Sequence, residues 1–140
     1  MSKCKKRPDN ASFHWSNVNP MNQSTGDCVI RAIAPFVGQS WQDTYRDLAE
    51  LGMLTGQMIN WPDNYVAYLS SRGFAKQRMP RRPDNTKYTA KEFCRELAEP
   101  GCVYVLSLAR HLTYVGPDCR IWDTWDCGGK TVGNYWVRQL

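Results

Sequence analysis

The sequence predicts an α+β domain, with helices in its first two thirds and an antiparallel sheet after residue 100. Two observations carry this. Between residues 28 and 97, apolar residues recur at helical spacing, and capping or stopping residues punctuate the runs. From Cys102 onward the period changes, giving short runs rich in Val, Tyr, Trp and Leu separated by turn residues. Helices first and strands afterwards, without strand–helix alternation, make an α+β layer packing rather than a doubly wound sheet.

Residues 1–22 are rich in Asn, Ser, Pro and Lys and read as an irregular N-terminal segment. The first helix opens at Cys28, with Ile30, Ile33, Ala34 and Val37 at helix spacing and Asp27 at the N-cap position; Pro35 is expected to kink it or end it early. Ser40 caps a second helix that carries Trp41, Tyr45 and Leu48 on one face and stops at Gly52. Asn60 caps a third, with Pro62 in its first turn, Tyr65, Tyr68 and Leu69 inward, and Gly73 at its close. Residues 78–87, RMPRRPDNTK, form a loop. Thr89 and Glu92 make a Thr-x-x-Glu capping box that starts a fourth helix through Phe93 and Leu97. Residues 102–108, CVYVLSL, read as a buried strand. Residues 111–115 and 120–125 flank Gly-Pro-Asp-Cys and form a hairpin, and residues 135–140 make the last strand.

The length, 140 residues, suits one domain over 1–140 with a modest core. A hydrophobic content of 42% against 22% charged residues excludes a disordered chain. No apolar run approaches the roughly 18 residues of a membrane span, so no membrane partner is expected. The basic start, MSKCKKRPDN, lacks the apolar core of a signal peptide, which points to the cytoplasm and reduced thiols. The six cysteines form no Cys-x-x-Cys pair and there are two histidines, so no structural zinc cluster and no cofactor are expected. Cys119 and Cys127 with a histidine are the one start of such a site.

The net charge of +5 gathers at Lys3, Lys5, Lys6 and Arg7, and again at Lys76, Arg78, Arg81, Arg82 and Lys87. Such patches suit nucleic-acid phosphates or an acidic partner, and equally a solvated face.

The chemistry centres on NQSTGDCVIRAIA, residues 22–34, where a polar loop hands over to a helix at Cys28. The unpaired N–H groups and the positive dipole end of a helix start stabilise a thiolate. The plain alternative is a small buried cysteine at a helix start. A nucleophilic thiol needs a base, and His111 begins a strand; His14 sits beside Trp15 in the irregular segment. The base needs an orienting group. An odd hairpin loop, or a bulge, makes Asp123 a cross-strand neighbour of His111, whereas an even loop sets Thr124 there; Asp126 is the reserve. Gln23, five residues before Cys28, is the candidate oxyanion donor beside the Cys28 N–H, with Asn19 and Asn22 as competitors.

Taken in order, Gln23, Cys28 at a helix start, His111 at a strand start and Asp123 one strand later resemble the papain-like cysteine peptidase superfamily. GDCVIRAIA is similar to the nucleophile segment of ovarian-tumour-type deubiquitinases and to that of bacteriocin-processing peptidases. Ser24 and Thr25 replace the Asp-Gly pair of the first type, and Val29 the glycine of the second, so the subfamily stays open. The resemblance implies a small phage or bacterial member with a papain-like fold and a protein or peptide substrate. It implies Cys28 as nucleophile, His111 as base, Asp123 as orienter and Gln23 as oxyanion donor. The expected function is thiol hydrolysis of a peptide or isopeptide bond, with acyl transfer available to the same residues. The alternatives are a catalytically inactive module of the same fold that docks nucleic acid or an acidic protein, and an accessory protein of a mobile element in which Cys28 is inert.

Overall fold

A computed structural model describes residues 2–140. It contains β1 (Phe13–Trp15), α1 (Cys28–Val37), α2 (Trp41–Thr55), α3 (Pro62–Ser71), α4 (Ala90–Glu96), β2 (Cys102–Leu108), β3 (His111–Val115), β4 (Ile121–Asp123) and β5 (Tyr135–Gln139). The α+β class holds. No helix of the described residues is long and apolar enough to cross a membrane.

The five strands form one sheet in the order β1-β4-β3-β2-β5. Four of them are antiparallel, but β1 pairs with β4 in parallel, so the sheet is mixed rather than antiparallel throughout. The segment before residue 22 is therefore not wholly irregular. Its three-residue strand is too short for a period-two signal, yet Phe13 is 1% exposed and anchors the sheet edge.

Alternation along β2 divides the interior into two cores. Val103 and Val105 face α1, α2 and α3 with Leu112, Tyr114 and Trp136; Tyr104, Leu106 and Leu108 face α4 with Phe13, Val115 and Ile121. The helices thus lie on both sides of the sheet, not on one.

Several helix boundaries differ from the sequence expectation. α1 continues through Pro35 to Val37 at the loss of the one N–H that would reach the Arg31 carbonyl, and Arg138 Nη1 caps the nearby Phe36 carbonyl at 2.9 Å. α2 runs past Gly52 to Thr55, and Gly56, at φ +74°, is the true cap. Gly52 is instead a packing site, where a Cβ would stand 2.6 Å from the Gln57 carbonyl. Tyr45 is 46% exposed and does not face the core. Trp61, not Asn60, holds the N-cap of α3, with Pro62 at its first position. The capping box at Thr89 and Glu92 is present in both directions, at 3.2 and 2.9 Å. β4 is three residues long, shorter than residues 120–125, because the chain bends away at Thr124.

Candidate active site

Cys28 is the first residue of α1. Asp27 occupies the N-cap position, but its side chain makes no cap hydrogen bond. It is held elsewhere: Oδ1 accepts from Arg31 Nε at 2.8 Å, and Oδ2 accepts from Asn19 Nδ2 at 3.1 Å and Trp41 Nε1 at 2.9 Å. No side chain among the described residues caps the first turn, so its N–H groups and dipole bear on Cys28.

The half-buried Cys28 thiol lines one groove with the His111 imidazole and Leu112. Burial pushes this thiol up. The hydrogen bonds from His111 and Leu112, with the charges of His111 and Arg31, outweigh burial and hold it below the usual thiol range.

His111 opens β3, and its Nε2 lies 2.6 Å from Asp123 Oδ2. Burial pushes the imidazole down, but Asp123, Cys127 and Cys28 raise it to about 11. The thiol is thus biased towards its ionised form and the imidazole towards its protonated form. The Trp125 ring lies 4.9 Å from that of His111, shielding it from water.

The hairpin register explains how Asp123 arrives. Val115 pairs with Ile121 and Tyr114 with Trp122, leaving a five-residue loop, an odd count. Continued by one step, this register sets Asp123 opposite Thr113, with His111 one pleat along on the same face. Thr113 Oγ1 donates to Asp123 Oδ2 at 2.6 Å, so His111 is the diagonal neighbour and Thr113 the direct one. Asp123 Oδ1 accepts from Arg31 Nη1 at 2.6 Å and from the Thr124 N–H at 2.7 Å. Burial raises this carboxyl, but His111, Arg31 and Thr113 hold it below the usual carboxylate range.

Of the four residues named from the sequence, three converge and one does not. Gln23 faces away from the thiol. Residues 2–4 run beside 22–24 through the Lys3–Gln23 bridge, and with its amide oriented to suit both neighbours Gln23 donates to the Ser2 carbonyl at 3.0 Å and accepts from Lys3 Nζ at 3.2 Å. The competitors are engaged too: Asn19 with Asp27, and Asn22 with the Cys4 carbonyl at 3.2 Å. Asp126 is exposed and binds Asn10 Nδ2 and the Gly128 N–H, both at 3.0 Å. His14 pairs with Asp9 at 2.7 Å and meets the Trp122 ring edge-to-face. Trp136 is a core residue, 1% exposed.

Sequence reasoning missed Thr113, which shares the Asp123 carboxylate with His111. Thr113 carried a signal, since it shares strand parity with His111. Cys127 is buried and donates to Asp123 Oδ2 at 3.8 Å; with His111 and Asp123 it brings three ligand-type atoms within 4.8 Å of one another. Cys119 lies outside that group, donating instead to the Ala98 carbonyl at 3.5 Å. The 2.6 Å contact between His111 and Asp123 is a direct hydrogen bond rather than the spacing of two ligands around an ion.

Beside Cys28 opens a groove of about 410 Å³ lined by Trp61, Tyr65, Ser107, Arg110 and His111. Arg110 occupies the tight turn between β2 and β3 at φ +55°, so the backbone there is strained next to His111. The chain matches no protein-family model, no curated protein and no solved structure.

Proposed function

We propose that the protein is a papain-like thiol hydrolase that cleaves a peptide or isopeptide bond through Cys28, His111 and Asp123. The observation that carries this reading is the meeting of Cys28, at an uncapped helix start, with His111 on one groove, the imidazole being held by Asp123 at 2.6 Å. A buried histidine that merely packed would need neither a thiol of lowered pKa nor an open cleft at its side.

In this mechanism the Cys28 thiolate attacks the scissile carbonyl carbon. The carbonyl oxygen becomes an oxyanion facing the Cys28 N–H and the α1 dipole. The His111 imidazolium gives its proton to the departing amine as the C–N bond breaks, leaving a thioester. His111, now neutral, takes a proton from water; the hydroxide attacks the thioester, and the acid product leaves as the thiolate re-forms. Asp123 keeps the ring oriented and its positive form stabilised. An amine in place of water would make the same sequence an acyl transfer.

The test is hydrolysis of internally quenched peptides by the full chain, with Cys28→Ala as control. Cleavage that vanishes in the variant while the melting temperature holds supports the proposal. Intact folding with no cleavage, no fast thiol alkylation and steeply salt-dependent nucleic-acid binding favours the inactive module instead.

A further inference from the structure

A second hollow, of about 620 Å³, lies on the other side of the α1 N-terminus from the groove. Its volume is that of a ligand pocket. Met21, Ile30, Tyr45, Met58 and Ile59 give it apolar walls. Three of these are conspicuously open to solvent, Met21 at 63%, Met58 at 67% and Tyr45 at 46%. A ligand that covered these side chains would remove apolar surface from water, which favours binding. The only charged side chain among its described lining residues is Asp27, whose two oxygens are taken up by Arg31, Asn19 and Trp41. No charged side chain in the hollow is therefore free to pair with a charged ligand.

The hollow and the Cys28 groove share Val29 and Asn60 as lining residues, so only the first turn of α1 separates them. A ligand that crosses this ridge passes the free N–H groups of the helix start. An extended polypeptide meets that geometry. It presents a carbonyl to the donors, and residues two apart lie about 7 Å from each other on the same side of the chain.

We propose that the hollow takes a bulky apolar side chain of an extended polypeptide lying across the N-terminus of α1. This deepens the hydrolase reading and rests on it, naming the substrate class as an unfolded or extended chain with an apolar residue close to the scissile bond.

The test uses the full chain labelled with ¹³C at its methionine methyls, titrated with acetyl-Gly-Ser-Leu-Ser-Gly-amide and with the same peptide carrying Asp for Leu. The Leu peptide should shift the Met21 and Met58 signals saturably and leave Met79 unmoved. The Asp peptide should need at least tenfold more to match it. The Leu peptide should also slow the alkylation of Cys28 by iodoacetamide. Met58→Glu, at an exposed position, should keep the wild-type melting temperature and lose the shift at Met21. Fast alkylation of Cys28 with no methyl shift, with equal response to the Asp peptide, or with peptide bound but no protection, overturns the subsite and leaves the hydrolase standing. Alkylation of Cys28 no faster than that of Cys4 in the free protein retires the hydrolase reading, and the subsite with it.

Discussion

Arg31 Nη1 lies 2.6 Å from Asp123 Oδ1, joining the helix that begins at Cys28 to the strand that ends at Asp123. The same guanidinium holds Asp27 through Nε at 2.8 Å, four residues earlier on its own helix. Both partners are buried, with side chains 11% and 2% exposed. One cation thus fixes the distance between the candidate nucleophile's helix and the candidate base's orienter. The cost of desolvating these charges is offset only while the whole set is present.

Asp123→Asn should therefore destabilise the protein by about 3–5 kcal/mol, the range found when one partner of a buried ion pair is removed. The amide is no substitute for the carboxylate. His111, Thr113, Arg31 and Thr124 all donate to this side chain, and an NH₂ group turned towards any of them sets donor against donor. Urea midpoints of the wild type and the variant check this. An unchanged midpoint would show that Asp123 matters to orientation alone.

The Cys28 thiol should be the fastest of the six to react with iodoacetamide at pH 7. Burial drives Cys94 up to about 12 and raises Cys119, whereas His111 and Leu112 hold Cys28 low against its own burial. His111→Ala removes the foremost of these opposing partners and should slow Cys28 labelling at neutral pH by about tenfold or more, since one pKa unit is a tenfold change in thiolate near neutrality. Peptide mapping after brief labelling reads both effects. Equal rates across the six thiols would remove the case for a nucleophile.

Much of this was legible in the sequence, and what was not has identifiable causes. Cys28, His111 and Asp123 followed from helix-start and strand-parity rules, which act over a few residues. The four helices and the β2–β3 core followed from periodicity. Phe13–Trp15 escaped because a three-residue strand is defined by its partner β4, more than a hundred residues away. Gly52 was mistaken for a stop because a glycine demanded by the Gln57 carbonyl looks, in sequence, like a glycine demanded by a turn. Gln23 was misplaced because its offset from Cys28 says nothing of Ser2 and Lys3, which claim its amide across a chain reversal.

Gln23→Ala follows from that last point. An oxyanion donor is worth roughly 100–1,000-fold in turnover when removed, but a glutamine occupied by the N-terminal segment should cost less than about threefold. Cleavage rates of the quenched peptides, wild type against Gln23→Ala, decide between them. A loss of two orders of magnitude at unchanged stability would mean that Gln23 leaves Ser2 and Lys3 when substrate binds.

The opposite shifts of Cys28 and His111 should also leave their mark on stability against pH. His111, raised to about 11, binds its proton more tightly folded than unfolded. Its contribution is full below about pH 6.5 and declines as pH rises towards 11. Cys28 acts in the opposite sense: its folded pKa is depressed from 9.0, so its contribution grows as pH rises from the folded value to the unfolded one. Between the depressed folded value of Cys28 and pH 9 the two slopes oppose each other, and above 9 only the decline from His111 remains. Wild-type stability should accordingly fall less steeply just below pH 9 than beyond it. In Cys28→Ser the compensating slope is gone while Asp123 still holds His111, so the decline should begin near pH 7. Urea midpoints at pH 7, 8 and 9 for the two proteins measure the difference. Parallel curves over that interval would mean that Cys28 and His111 do not share a proton in the folded state.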